Sequence, residues 1–219
     1  RLEAAKDVAA EFINGRPNDN IGITLFAGET FTQCPLTVDH AVLLDMIHNI
    51  KCGLITDGTA VGMGIANAVT RLKDSKAKSK VIILLTDGTN NKGDISPMTA
   101  AEIAKSFGIR VYTIGVGTNG MAPYPYPVGN TVQYVSMPVE IDEKTLTEIA
   151  GTTDGNYFRA TSNSKLKEVY EEIDKLEKTK LNVKEYSKRD EEYHWFALAA
   201  FLCVLLEVLL RNSVLKKIP

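Results

Sequence analysis

The sequence predicts a doubly wound α/β fold built on a mostly parallel sheet. Three observations predict it. Val81 to Leu85 is a continuous apolar run with β-branched residues at its start that stops abruptly at Thr86-Asp87-Gly88, as strands buried on both faces do. Ile109 to Val116 reads as the next buried strand. Between and around them, segments with helical periodicity alternate with short strands, the order that yields a parallel sheet covered on both sides.

Arg1 to Asn14 places Leu2, Ala5, Val8, Ala9 and Phe12 at the spacing of an amphipathic helix. Asn20 to Ala27 reads as a strand, and Thr30 to Leu36 as its antiparallel hairpin partner around Gly28-Glu29. Val38 to Ile50 is a helix with Leu43, Leu44 and Ile47 inward, and the segment after Gly58-Thr59 is a helix showing Ile65, Ala68, Val69 and Leu72. Ser96-Pro97 opens another helix, with Thr99 and Glu102 spaced as a capping box and Gly108 closing it. Asp142 to Ala150 is a short helix and Asn156 to Ala160 an edge strand. Ser164 to Leu181 is a long amphipathic helix displaying Leu166, Val169, Tyr170, Ile173 and Leu176.

The chain has 219 residues, 44% of them hydrophobic, which is enough for a substantial core. A formal net charge of -2 gives no electrostatic case for nucleic acid. Cys34, Cys52 and Cys203 are odd in number and lack C-x-x-C spacing, so neither a disulfide framework nor a zinc site is indicated, and a Cys34–Cys52 bridge is a minor alternative. His40, His48 and His194 read as polar faces of helices or as an interfacial residue.

Gly115-Val-Gly117-Thr-Asn-Gly120 fits G-x-G-x-x-G after a strand, but it runs into Met121-Ala-Pro-Tyr-Pro-Tyr-Pro, which cannot begin the required helix. A dinucleotide's phosphates would have no helix N-terminus to sit on. Thr118 to Val139 reads instead as a Pro-rich surface loop carrying Tyr124, Tyr126 and Tyr134.

Asp87 stands at the carboxyl end of a buried strand, the edge where ligands collect in open α/β sheets. A carboxylate presented there suits a hard cation. Upstream, Thr56-Asp57-Gly58-Thr59-Ala60-Val61-Gly62 leads into a helix, so a hydroxyl sits beside unpaired backbone N–H groups. Asp57 reads as a cap for that helix, and Asn90 and Asn91 as shaping the turn after Asp87.

Together these elements resemble the von Willebrand factor type A (VWA) domain, whose metal-ion-dependent adhesion site, MIDAS, combines an Asp-x-Ser-x-Ser loop, a Thr and an Asp. The resemblance implies that Thr59 and Asp87 are metal residues and that Mg²⁺ or another divalent cation is the cofactor. Hydroxyls and one or two carboxylates suffice for Mg²⁺, which usually keeps several waters. Across nearly the whole chain, RLEAAKDVAAEFI, DNIGITLFAGETFTQCPLT, ILLTDG and AAEIAKSFGIRVYTIGVGT resemble BatA-type members of the bacterial Bat (aerotolerance) group. No Asp-x-Ser-x-Ser occurs here. In the family that loop follows a central strand preceding the first helix, so the expectation is a fragment of a longer protein with an incomplete metal site. The Ile21 to Phe26 and Val81 to Leu85 strands would then lack their shared neighbour.

From Trp195 the chain is uncharged to Leu206, and the apolar pattern resumes after Glu207. This gives roughly 16 residues against the about 20 a bilayer needs. Trp195 at one end and Lys216 and Lys217 at the other extend the expected membrane span to Leu215. Glu207 and Arg211, four apart, partly offset one another. The expected organisation is a VWA domain over residues 1–181, a linker over 182–194 and a transmembrane helix with a basic tail over 195–215. Lys178, Lys180, Lys184, Lys188 and Arg189 outnumber the basic residues after the span, so charge alone does not place the domain outside. The family resemblance implies a bacterial inner-membrane protein with its VWA domain in the periplasm. It also implies protein partners, among them other Bat proteins and a MoxR-type AAA+ ATPase. A metal-free scaffold is the alternative function. A metal-dependent hydrolase has less behind it, because no nucleophile elbow, Ser/His/Asp order or Cys/His arrangement can be assembled.

Overall fold

The computed structural model describes residues 2–51, 53, 55–117, 120–128, 131–139, 141–187 and 193–213. In chain order the helices are α1 (Leu2–Asn14), α2 (His40–His48), α3 (Val61–Leu72), α4 (Pro97–Ser106), α5 (Glu143–Thr152), α6 (Asn163–Ser187) and α7 (Tyr193–Ser213). The strands are β1 (Ile21–Phe26), β2 (Thr30–Thr37), β3 (Val81–Thr86), β4 (Arg110–Val116), β5 (Gly120–Val128), β6 (Thr131–Val139) and β7 (Tyr157–Ala160). The chain divides into two compact units, Arg1–Glu177 and Lys178–Pro219.

In the first unit β3, β4 and β7 form a parallel sheet in that order, with Val81 opposite Arg110 and Thr86 opposite Gly115. The period-two alternation of a strand divides its side chains between two cores. Ile82, Leu84 and Val111 pack with Val61, Ile65 and Val69 of α3, Ala100 and Ala104 of α4, and Leu146 and Ile149 of α5. Val81, Ile83, Leu85, Tyr112 and Ile114 pack on the opposite face with Val8 and Phe12 of α1 and Leu166, Val169, Tyr170 and Ile173 of α6. The sheet is therefore wound on both sides, as the alternation of elements predicts. A smaller core joins Ile13, Cys34, Leu43 and Ile47.

β1 and β2 pair antiparallel as a separate two-stranded sheet, and among the described residues β1 shares no ladder with β3. The Ile21–Phe26 and Val81–Thr86 strands thus have no shared neighbour among the described residues, in line with the expectation from the sequence. Lys6, almost fully buried, donates from Nζ to the carbonyls of His48 (3.1 Å) and Ile50 (3.2 Å) and to Glu3 (2.8 Å), meeting carbonyls that the end of α2 leaves unpaired. His40 Nε2 lies 2.9 Å from the Asp19 carbonyl oxygen, and His48 Nδ1 2.7 Å from that of Leu44. Cys34 is buried, which raises its thiol pKa, and Cys52 lies outside the described residues. The cap of α4 is Ser96, whose Oγ accepts from Thr99 N–H (3.1 Å), rather than a box formed by Thr99 and Glu102.

The loop expected over Thr118 to Val139 is instead the β5–β6 hairpin. Pro123, Pro125 and Pro127 recur at every second position, so one edge of β5 takes all three missing donors and the ladder survives. The chain therefore leaves Gly117 for a strand, and no helix follows the G-x-G-x-x-G match.

In the second unit α7 is 21 residues long, and Leu198, Phe201, Leu202, Val204, Leu205 and Leu206 are exposed along it. Among the described residues no helix is long and apolar enough to cross a membrane, against the expectation of a span from Trp195 to Leu215. Glu207 interrupts the apolar run, and Lys216 and Lys217, on which the extended span depends, lie outside the described residues. The side chains of Trp195 and His194 are likewise outside what is described.

Candidate functional site

β3 delivers Asp87 to the carboxyl rim of the parallel sheet. Thr86, the last strand residue, is buried, whereas Asp87 is exposed. Thr86 Oγ1 lies 3.3 Å from both the N–H and the carbonyl oxygen of Gly88, which fixes the turn that carries Asp87. Thr59 belongs to the loop before α3, and its Oγ1 lies 3.3 Å from where a Cβ on Gly88 would stand. The Thr59 hydroxyl singled out in the sequence therefore lies against the turn that carries Asp87, although the two residues are 28 positions apart.

What holds the two loops together is a pair of carboxamides. Asn91 Oδ1 accepts from Thr59 N–H (2.9 Å), while the Thr59 carbonyl oxygen accepts from the N–H groups of Asn91 (3.0 Å) and Lys92 (3.3 Å). Asn90 Oδ1 accepts from Val61 N–H (2.8 Å), so the cap of α3 comes from across the cleft and not, as expected, from Asp57. The turn after β1 is stitched in as well: Gly28 N–H donates to Thr56 O (2.7 Å) and Ala60 N–H to Ala27 O (2.7 Å). Two glycines permit this closeness. A Cβ on Gly28 would stand 2.7 Å from Asp57 O, and one on Gly62 would overlap the Ile95 carbonyl.

Beside the Asp87 turn lies a cavity of about 400 Å³ lined by Thr89, Ile141, Asp142, Glu143 and Lys144. Asp142 caps α5, accepting from the Thr145 hydroxyl (2.6 Å) and N–H (3.0 Å), and these bonds hold its carboxyl pKa below the ordinary range. Arg159 of β7 pairs with Glu143 at 3.2 Å.

The donors gathered at the rim, a threonine hydroxyl and an aspartate carboxylate, are hard oxygens of the kind that suits Mg²⁺ or Ca²⁺ and not a soft metal. Among the described residues no group of three or more His, Cys, Asp or Glu side chains is arranged to hold a metal ion. A hydroxyl and a carboxylate with several retained waters are a donor set that Mg²⁺ tolerates.

At the amino ends of β3 and β4, the opposite edge of the sheet, is a polar cluster that sequence analysis did not single out. Glu177 of α6, buried, receives bonds from Arg110 Nε (2.8 Å) and Nη2, Tyr112 OH (2.6 Å) and Ser79 Oγ (2.8 Å). Burial pushes the Glu177 pKa up, but the Arg110, Tyr112 and Ser79 hydrogen bonds outweigh it, and the net direction is down. Burial, then the bond to Glu177, pushes the Tyr112 phenol up.

A family model for the von Willebrand factor type A domain matches residues 1–172. An uncharacterised protein of Borreliella burgdorferi is 27% identical over 219 residues, all of this chain and 64% of its own length. The chain therefore spans less than two thirds of that relative. Among solved structures, BatB of Bacteroides thetaiotaomicron is 34% identical with a TM-score of 0.70, covering 81% of this chain and 89% of that one. An aerotolerance-related membrane protein of Bacteroides fragilis is 30% identical with a TM-score of 0.69, covering 80% and 87%.

Proposed function

The chain belongs to the von Willebrand factor type A domain family and is of the Bat type, and on that premise we propose that it is a noncatalytic, membrane-tethered module that docks a protein partner through a MIDAS-type divalent cation. Proteins of this family are generally interaction modules rather than enzymes. One observation supports the reading: exposed Asp87 follows a strand packed on both faces, and the Thr59 hydroxyl lies against Gly88, the next residue of the same turn. Asp87 and Thr59 would hold the cation with oxygens from outside this chain, and the cation, when bound, supplies a vertex that a partner's carboxylate completes. Asn90 and Asn91 keep the two loops in register, so the site needs little ordering when the ion arrives.

The carrier unit is residues 1–181, joined through 182–194 to a membrane anchor at 195–215. The anchor reading draws on the exposed apolar residues of α7 and on the Bacteroides fragilis neighbour, which is described as a membrane protein. On this reading the protein belongs to a bacterial inner membrane with its VWA domain periplasmic, which the membrane-protein description of the Bacteroides fragilis neighbour supports only as far as membrane association. Its partners on this reading are other Bat proteins and a MoxR-type AAA+ ATPase, in an envelope or stress-tolerance complex.

Calorimetric Mg²⁺ titration of the parent-length protein and its Asp87→Ala and Thr59→Ala variants tests the site. Weakened binding in both variants is expected. Equal Mg²⁺ binding by the parent and Asp87→Ala would remove Asp87 from the site and with it the adhesion reading.

A further inference from the structure

The β5–β6 hairpin stands apart: among the described residues, neither strand pairs with anything but the other. Residues 117–139 contain no Asp, Glu, Lys, Arg or His, in a chain that is 24% charged. Its register is unbroken from Gly120 opposite Val139 to Val128 opposite Thr131. Only two residues join that last pair, so it must be one that exchanges both backbone hydrogen bonds, and alternation makes Tyr126–Gln133, Tyr124–Val135 and Ala122–Met137 bonded pairs too.

Pro123, Pro125 and Pro127 fall on the intervening pairs, where the amide position looks away from β6. The outer edge of β5 thus lacks three donors in succession and cannot template another strand. The outer edge of β6 is different. By the same alternation, Val132, Tyr134 and Ser136 present both N–H and C=O outward, and the next such position is Pro138.

We propose that β6 pairs antiparallel with β6 of a second copy of this chain, about a two-fold axis at Tyr134, giving a four-stranded sheet in the order β5-β6-β6-β5. The register is self-complementary: Tyr134 meets the second copy's Tyr134, and Val132 meets its Ser136, with the reciprocal pair completing the ladder. A strand without charge pairs with no charge buried only against another uncharged strand, and the second copy supplies one. Both outer edges of the resulting sheet carry the three prolines, so assembly closes at two copies. A lone two-stranded hairpin is marginal in water, and pairing gives it the missing strands. The hairpin leaves the carboxyl end of β4 and returns to the start of α5, the rim that also carries Asp87, so the dimer would place two such rims near one another. The inference goes beyond the proposed metal-dependent docking and does not need it.

Sedimentation velocity of the full chain over a concentration series tests it. The expected result is a monomer–dimer equilibrium whose dissociation constant rises by roughly tenfold or more in Tyr134→Pro, the ratio set by losing two backbone hydrogen bonds of ordinary net strength. By this register the backbone N–H of position 134 takes no part in the ladder of its own hairpin, so proline there leaves that ladder in place, as the prolines of β5 do. A second measurement covers misfolding. With Cys34, Cys52 and Cys203 replaced by serine, Tyr134→Cys should oxidise to a covalent dimer, because bonded antiparallel pairs have Cα atoms about 5.5 Å apart, within disulfide reach, whereas Tyr124→Cys should not. A wild-type monomer at every concentration overturns the proposal. So does a dimer that Tyr134→Pro leaves intact together with failure of Tyr134→Cys to cross-link, since association would then run through another surface.

Discussion

Removing the Glu177 carboxylate should cost about 3 kcal/mol of stability, at the low end of what breaking a buried pair costs because Arg110 keeps some contact with water. The side chains of Glu177 and Arg110 are 7% and 14% exposed, and Tyr112, whose hydroxyl the same carboxylate accepts, is fully buried. Glu177→Ala leaves a guanidinium, a phenol and the Ser79 hydroxyl with the same partner gone. Glu177→Gln keeps an acceptor for Tyr112 and loses only the charge, so about 1–2 kcal/mol is expected. At this chain length those figures correspond to melting temperatures lowered by about 6–12 °C for alanine and about 2–8 °C for glutamine, read by thermal unfolding with circular dichroism. The pH dependence carries the same argument. The Glu177 pKa is lower folded than unfolded, so the unfolded chain takes up the proton first on acidification, and the carboxylate's contribution, complete at neutral pH, is lost as pH falls through its folded value. The gap between wild type and Glu177→Gln should therefore be widest at neutral pH and narrow below about pH 4. An alanine variant melting within about 1 °C of wild type would refute the reasoning.

Two further outcomes follow from the rim. Asn91→Ala should remove the acceptor of Thr59 N–H, costing about 1 kcal/mol locally and speeding hydrogen exchange at that amide by roughly fivefold, with exchange at core amides of β4 unchanged as the internal control. Gly62→Ala should lower stability by about 2 kcal/mol despite alanine's better helix propensity, because the methyl meets the Ile95 carbonyl, and urea unfolding with an unchanged m-value is the measurement.

Much of the first unit is legible in the sequence because it follows from period. Apolar runs give β3 and β4, and helical spacing gives the faces of α1, α3 and α6 that pack on the sheet. The residues that escaped are those whose partners are distant along the chain. Glu177 lies 67 positions from Arg110 and 98 from Ser79, and nothing in a helical pattern marks one glutamate among several as inward. Asn90 and Asn91 read locally as turn residues, yet their acceptors serve Val61 and Thr59, 29 and 32 positions away. The hairpin was hidden for another reason. Proline density argues against a strand until one asks which edge each proline occupies, and that requires the register of β6.

The rim and the Glu177 cluster sit at opposite ends of the same two strands, and this separates stability from docking. β3 and β4 are in register from Val81–Arg110 at one end to Thr86–Gly115 at the other, about 16 Å along the strand. Val81 to Leu85 alternate between the two cores and Thr86 is buried, so Asp87 is the first position past Val81 that is exposed. A perturbation at Glu177 has to reach Asp87 through a close-packed sheet, which gives way by unfolding sooner than by bending. Glu177→Gln should therefore lower the melting temperature while leaving Mg²⁺ affinity of the folded parent-length protein at the wild-type value, whereas Asn91→Ala, milder in stability, should weaken it. The reverse pattern would mean that the far end of the sheet sets the rim geometry, and that the asparagine clamp does not.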